Sequence, residues 1–190
     1  MGAFDHIILL LSFVYALAIA HLLSTIARLV RDSDKVRFSA LHAFWMLNVL
    51  TSILANWMSF WDLRTLPSWN VASILLTFAI ASLNYLQAAL VCPEVSAGER
   101  LDLVAFQADQ RLRIVGSFLA LGILALIANA IYGAIFGVIS WNAQNLAVVP
   151  MVAGALIALI WRGRAAQILG AVVIAAAWTF YFAALQAPLH

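Results

Sequence analysis

Six apolar stretches of bilayer-spanning character, at about 7–27, 40–60, 71–91, 114–135, 146–161 and 166–186, constrain this chain more than any other feature. About 20 apolar residues in an α-helix cross the roughly 30 Å hydrocarbon core of a membrane. A helix also satisfies its own backbone polar groups in lipid, where no water can. The fifth stretch is short and opens at Pro150, a residue suited to a first helical turn. The alternative count is five spans plus a re-entrant segment.

Composition agrees. Of 190 residues 66% are hydrophobic and only 9% are charged, against about 25% charged in a soluble domain. No soluble fold of this size has enough interior for so much apolar surface. The N-terminal residues lack a basic region and a small-residue cleavage site before the first apolar run. That run therefore reads as a retained span and not as a signal peptide. Cys92 is the single cysteine, so no intrachain disulfide can form.

The charges sort by connection. Arg28, Arg31, Lys35 and Arg37 lie between spans one and two, Arg100, Arg111 and Arg113 between three and four, and Arg162 and Arg164 between five and six. Arg64 stands alone on the other side. Lys and Arg concentrate in short cytoplasmic loops, so both termini are expected outside. This placement also accounts for the net charge of +2, and nucleic acid is not an expected partner. Trp57, Trp61, Trp69 and Trp141 fall at the outer interface and Trp161 at the inner one, where indole rings anchor helices. Trp45 lies slightly deeper on the inner side, and Trp178 is expected to pack between helices.

Pro93 stops the third span. Ser96 and Glu99 then form an S-x-x-E capping box ahead of Leu101, Leu103, Val104 and Phe106. This predicts a short amphipathic cytoplasmic segment before span four. The other reading is that span four begins early and protrudes. The expected fold is thus all-α: one polytopic transmembrane helix bundle over 1–190, with no internal repeat.

Its halves differ in chemistry. In span one, His21, Thr25, Arg28 and Asp32 make a stripe at the inner end. His42, Trp45, Asn48, Ser52, Asn56 and Ser59 share one face of span two, and Ser73, Thr77, Asn84 and Gln87 one face of span three, at 100° per residue. Polar stripes are unfavourable against lipid, so these faces should meet. At 1.5 Å per residue, His21, Asn48 and Asn84 lie roughly 9–12 Å inside the cytoplasmic boundary. The candidate ligand- or ion-binding residues are His21, Arg28, His42, Asn48 and Asn84, around a polar pocket open to the cytoplasm. The 111–190 half is rich in Gly and Ala and reads as packing surface. Its G-x-x-x-G at Gly133 and Gly137 is a candidate homo-oligomer contact.

Each polar residue also has a plainer reading. His21, Asn48 and Asn84 can be interhelical glue, and Arg28 and Arg37 can be interfacial anchors with a lipid-phosphate contact. Haem ligation by His21 and His42 needs both rings level with one plane, and their depths differ by several ångström. A metal held by Asp5, His6, Asp62 and His190 is not demanded by any spacing, so no cofactor is expected. There is no G-x-S-x-G, H-E-x-x-H or P-loop, and an enzyme is not the expected class.

The order A-H-L-L-S-T-I-A-R-L-V at 20–30, H-A-F-W at 42–45 and C-P-E at 92–94, followed by L-D-L, resembles a family of small uncharacterised bacterial integral membrane proteins. The resemblance implies a multi-pass protein of the bacterial inner membrane and carries no activity. Two functions are expected from the residues. One is a small channel or transporter-like protein using the pocket of spans one to three. The other is a non-transporting membrane subunit or scaffold that stabilises or regulates a membrane-protein partner.

Overall fold

The computed structural model describes residues 2–66, 68–94, 100–136 and 146–184. The described chain is all-helical apart from two two-residue strands. Its order is α1 (Ala3–Arg31), a 3-10 turn (Ser33–Lys35), β1 (Val36–Arg37), α2 (Ala40–Ser59) and a 3-10 turn (Phe60–Thr65). Then come α3 (Val71–Val91), β2 (Leu101–Asp102), α4 (Leu103–Phe136), α5 (Val148–Ile160) and α6 (Arg164–Ala184). Five of these helices are long and apolar enough to cross a membrane, and α5 is a shorter apolar helix of 13 residues. This is a membrane-embedded protein.

The helix starts follow from short polar side chains that satisfy the orphan N–H groups of a first turn. Ser39 accepts from the His42 amide at 3.2 Å, Asn70 from the Ser73 amide at 2.8 Å, and Asp102 from the Val104 and Ala105 amides at 2.8 and 3.1 Å. Arg28 and Arg31 sit in the last turn of α1, where the helix dipole favours cations.

The start of α4 corrects the expectation of a separate amphipathic segment. Ser96 and Glu99, the expected capping box, lie outside the described residues. Leu103, Val104 and Phe106 form the first turns of one uninterrupted helix of 34 residues, and Leu101 lies in β2. The cause is the Asp102 cap together with the pairing of β1 and β2, which are parallel with Val36 opposite Leu101 and Arg37 opposite Asp102. The Arg37 guanidinium closes this clasp on the Asp102 carboxylate at 2.8 Å. Asp102 is held below the usual carboxylate range chiefly by the Ala105 N–H, and then by Arg37 and the Val104 N–H.

Helices α2, α3, α4, α5 and α6 pack in that order, and α6 returns to α2, so the five form a closed ring. Helix α1 packs against α2 and α3 from outside it. Trp45 of α2 and Phe118 of α4 meet inside the ring with centroids 5.4 Å apart, both fully buried. Trp178 is buried between helices, whereas Trp57, Trp61 and Trp161 are exposed, and Trp69 packs on Phe4. Trp141 lies outside the described residues.

Small residues bring the second half together. A Cβ added at Gly170 of α6 would stand 2.5 Å from the Gly154 carbonyl oxygen of α5, and one at Gly122 of α4 would stand 2.5 Å from Val152. Backbones this close need glycine, as membrane helices without a hydrophobic drive to associate commonly do. Gly133 is half-buried near the end of α4, and Gly137 lies outside the described residues.

Candidate functional site

The expected faces of α2 and α3 do turn inward and meet. His42, Trp45, Asn48 and Ser52 of α2 are buried, as are Ser73, Thr77, Asn84 and Gln87 of α3. Where they touch, the Ser52 hydroxyl lies 3.3 Å from both Asn84 Oδ1 and Gln87 Oε1. It has one proton and donates to one of them at a time. Asn84 donates to the Ile80 carbonyl at 3.0 Å. Asn48 donates to its own helix at Phe44 (3.0 Å) and across the ring to Ala171 of α6 (3.4 Å). These groups form an interhelical polar seam.

His42 sits at the basic end of this seam and is fully buried. Its Nδ1 donates to Gln107 Oε1 of α4 at 2.8 Å, and its ring stands edge-on to Phe106 at 5.3 Å. Both neighbours come from the early turns of α4.

His21 and Arg28 lie elsewhere, on α1 outside the ring. His21 is half-buried with its ring 6.5 Å from Tyr85 of α3. Arg28 is exposed and donates to Thr25 at 3.3 Å. Thr25 and Arg28 flank Cys92, whose thiol is pushed up by burial against the opposing pull of both. The structure thus joins Asn48 and Asn84 to one seam with Ser52 and Gln87, hangs His42 on its end, and leaves His21 and Arg28 apart. Beside His42 the open space is apolar: a cavity of about 390 Å³ between α1 and α2, lined by Ile26, Leu29, Phe38, Met46 and Leu50.

Small cavities with polar residues in their walls lie at the opposite end of the ring. Two adjoining cavities of about 70 Å³ each share Asn56 and Ser59 of α2 and Ala125 and Asn129 of α4. Asp62, Thr77 and Tyr132 line one, and Trp178 and Tyr181 the other. The tyrosines are fixed by bonds to backbone, Tyr132 to Ser73 and Tyr181 to Ala55, each at 3.2 Å. Asn56 and Ser59 were marked by their place on the α2 stripe, but their meeting with Asn129 and Tyr181 depends on ring closure.

At the basic end, Gln107 and Gln167 are buried functional candidates that the residue pattern did not single out. Gln167 of α6 donates to the carbonyls of Ala158 and Trp161, and Arg111 of α4 donates to those of Ala158 and Leu159 at 2.7 and 3.1 Å. Together they cap the open C-terminus of α5.

Among the described residues no three His, Cys, Asp or Glu side chains gather closely enough to hold a metal. Asp5, His6 and Asp62 do not cluster, and His190 lies outside the described residues. Comparison with protein-family models, with curated proteins and with solved structures finds no match.

Proposed function

We propose that this chain is a non-transporting membrane subunit or scaffold that stabilises or regulates a membrane-protein partner. It sits in a bacterial inner membrane with six spans and both termini outside. The nine basic residues at one end against Arg64 at the other support that orientation. The short helix α5, with Leu146, Ala147 and Trp161 at its ends, makes the fifth span.

One observation carries the functional reading. Most polar side chains of the seam bond to one another or to backbone carbonyls, as Ser52–Asn84 and Asn48–Ala171 do, while His42 Nε2, Asn48 Oδ1 and Gln87 Nε2 are buried with no hydrogen-bond partner among the described residues. An interhelical seam of this kind fixes which faces of the helices meet. A cytoplasm-facing pathway would instead keep these groups in contact with a hydrated cavity. Asn48, Ser52, Asn84 and Gln87 line neither the apolar cavity beside α2, nor the two at the opposite end of the ring, nor the groove at the basic end beside Arg111.

A second reading, transport or small-solute binding, is favoured by the polar cavities around Asn56, Ser59 and Asn129. Ion and proton flux in proteoliposomes separates the two. The expected result is that wild type, His21→Ala and Asn56→Ala all match protein-free vesicles, and that a second membrane protein copurifies in mild detergent. Flux above background that falls in Asn56→Ala would overturn the scaffold reading and establish the second.

A further inference from the structure

We propose that the basic end of the bundle holds one anionic phospholipid, its phosphodiester in an arginine-lined groove and an acyl chain in the adjoining apolar groove between α1 and α2. This goes beyond the scaffold reading and does not depend on it.

The first groove, of about 520 Å³, lies between the start of α2, the start of α4 and the turn joining α5 to α6. Arg37, Arg111, Arg162 and Arg164 line it. One of these charges is already compensated, since Arg37 pairs with Asp102. Arg111 is positioned by the last carbonyls of α5 and has no carboxylate partner among the described residues. Among the described residues no carboxylate lies within salt-bridge distance of Arg162 or Arg164. Three guanidinium groups without a carboxylate partner among the described residues therefore line one groove, beside the N-terminus of α6 with its positive dipole end.

A neutral side chain completes the groove and points independently to a ligand. Gln107 lines it and is 5% exposed. His42 occupies its Oε1, and among the described residues its Nε2 has no hydrogen-bond partner. A buried amide donor without an acceptor is costly, and a phosphate oxygen would supply one. Arginine forks match phosphate oxygens bidentately, and basic pockets between membrane helices bind anionic headgroups.

The adjoining space identifies the phosphate as a lipid's. Phe38 lines both the arginine groove and the apolar cavity beside α2. That cavity follows α2 from His42 to Leu50, about 12 Å at the helical rise. Leu47 on its wall is exposed, so it opens sideways to the membrane. A headgroup at Arg162 and Arg164 with a chain past Phe38 fits both spaces, whereas a free phosphate would use only one.

The test measures affinity by native mass spectrometry and melting in detergent with added phosphatidylglycerol, phosphatidylcholine or sodium phosphate. Wild type should retain and be stabilised by phosphatidylglycerol alone. Each arginine near an anionic headgroup is worth about fivefold in affinity, so Arg162→Ala with Arg164→Ala should weaken binding roughly 30-fold. Both are exposed, and their loss leaves the helix contacts intact. Ala43→Phe, which intrudes on the apolar groove, should weaken it as well. Arg31→Ala with Lys35→Ala, at the same end but outside the arginine groove, should not. Unchanged affinity in the Arg162/Arg164 pair, or equal loss in the control pair, would overturn the site. Stabilisation by sodium phosphate equal to that by phosphatidylglycerol would overturn the lipid assignment.

Discussion

Replacing Gly170 by alanine tests whether α5 and α6 are held by backbone contact. The new Cβ would stand 2.5 Å from the Gly154 oxygen, 2.7 Å from Ala158 Cβ and 3.3 Å from the Ala158 nitrogen. Reaching an ordinary 3.4 Å contact from 2.5 Å needs about 0.9 Å of separation, and the Gly154 oxygen belongs to backbone, which cannot rotate away. Overpacking of this kind costs about 1–3 kcal/mol. Alanine simultaneously gains about 1 kcal/mol of helix propensity over glycine, which would mask part of that cost. Gly116→Ala isolates the steric part, because a Cβ there meets nothing within 4 Å. It gains the same propensity without the clash. The two variants should therefore differ by about 1–3 kcal/mol, or roughly 2–12 °C in melting temperature for a chain of this length. Thermal melts by circular dichroism, with unfolding titrations in mixed micelles, measure the difference. Equal stability of the two variants would refute the claim that α5 and α6 depend on this approach.

Two further outcomes follow from the seam and the clasp. In a double-mutant cycle with Ser52→Ala and Asn84→Leu, the coupling should be about 0.6 kcal/mol and no more than about 1.7 kcal/mol, towards the lower value because Ser52 can turn to Gln87; strict additivity would sink its role as glue. Asp102 is held below its ordinary value of 3.8 in the fold, so its contribution to stability is present above that value and lost as pH falls through the lower folded value. Melting temperature should decline over that acidic window in wild type, less steeply in Asp102→Asn, and identical acid profiles would argue against the clasp.

Much of the seam was legible because helical periodicity reports which side of a helix is polar. His42, Trp45, Asn48 and Ser52 fall within one arc at 100° per residue, and all four are buried. Periodicity does not report the neighbour. Asn48 finds Ala171, 123 residues away, and His42 finds Gln107, in the segment that reads as an amphipathic lead into span four. The stripe on α1 illustrates the same limit: Thr25 is buried while Arg28, on the same side, is exposed. A long flexible arginine at a helix end reaches the interface from almost any face. The early start of α4 is only one of two readings open to the sequence, because Gln107, Asp109, Gln110 and Arg111 make its first turns too polar to resemble a span. The cavities opposite the basic end were unreadable for a different reason, since they exist only where α2 and α4 meet the ends of α3 and α6.

The closed ring has a consequence for how the chain is made. Its last side is α6 against α2, sealed by Asn48 to Ala171 and Tyr181 to Ala55. A ribosome delivers α6 well after α2, so α2 must wait through the synthesis of three more helices with Asn48 facing something other than its final neighbour. Since α1 packs on α2 and α3 from outside, the first three helices can settle together early. The interval before α6 arrives is then the stage at which the nascent protein most needs an insertase or chaperone to shield the unfinished side from lipid.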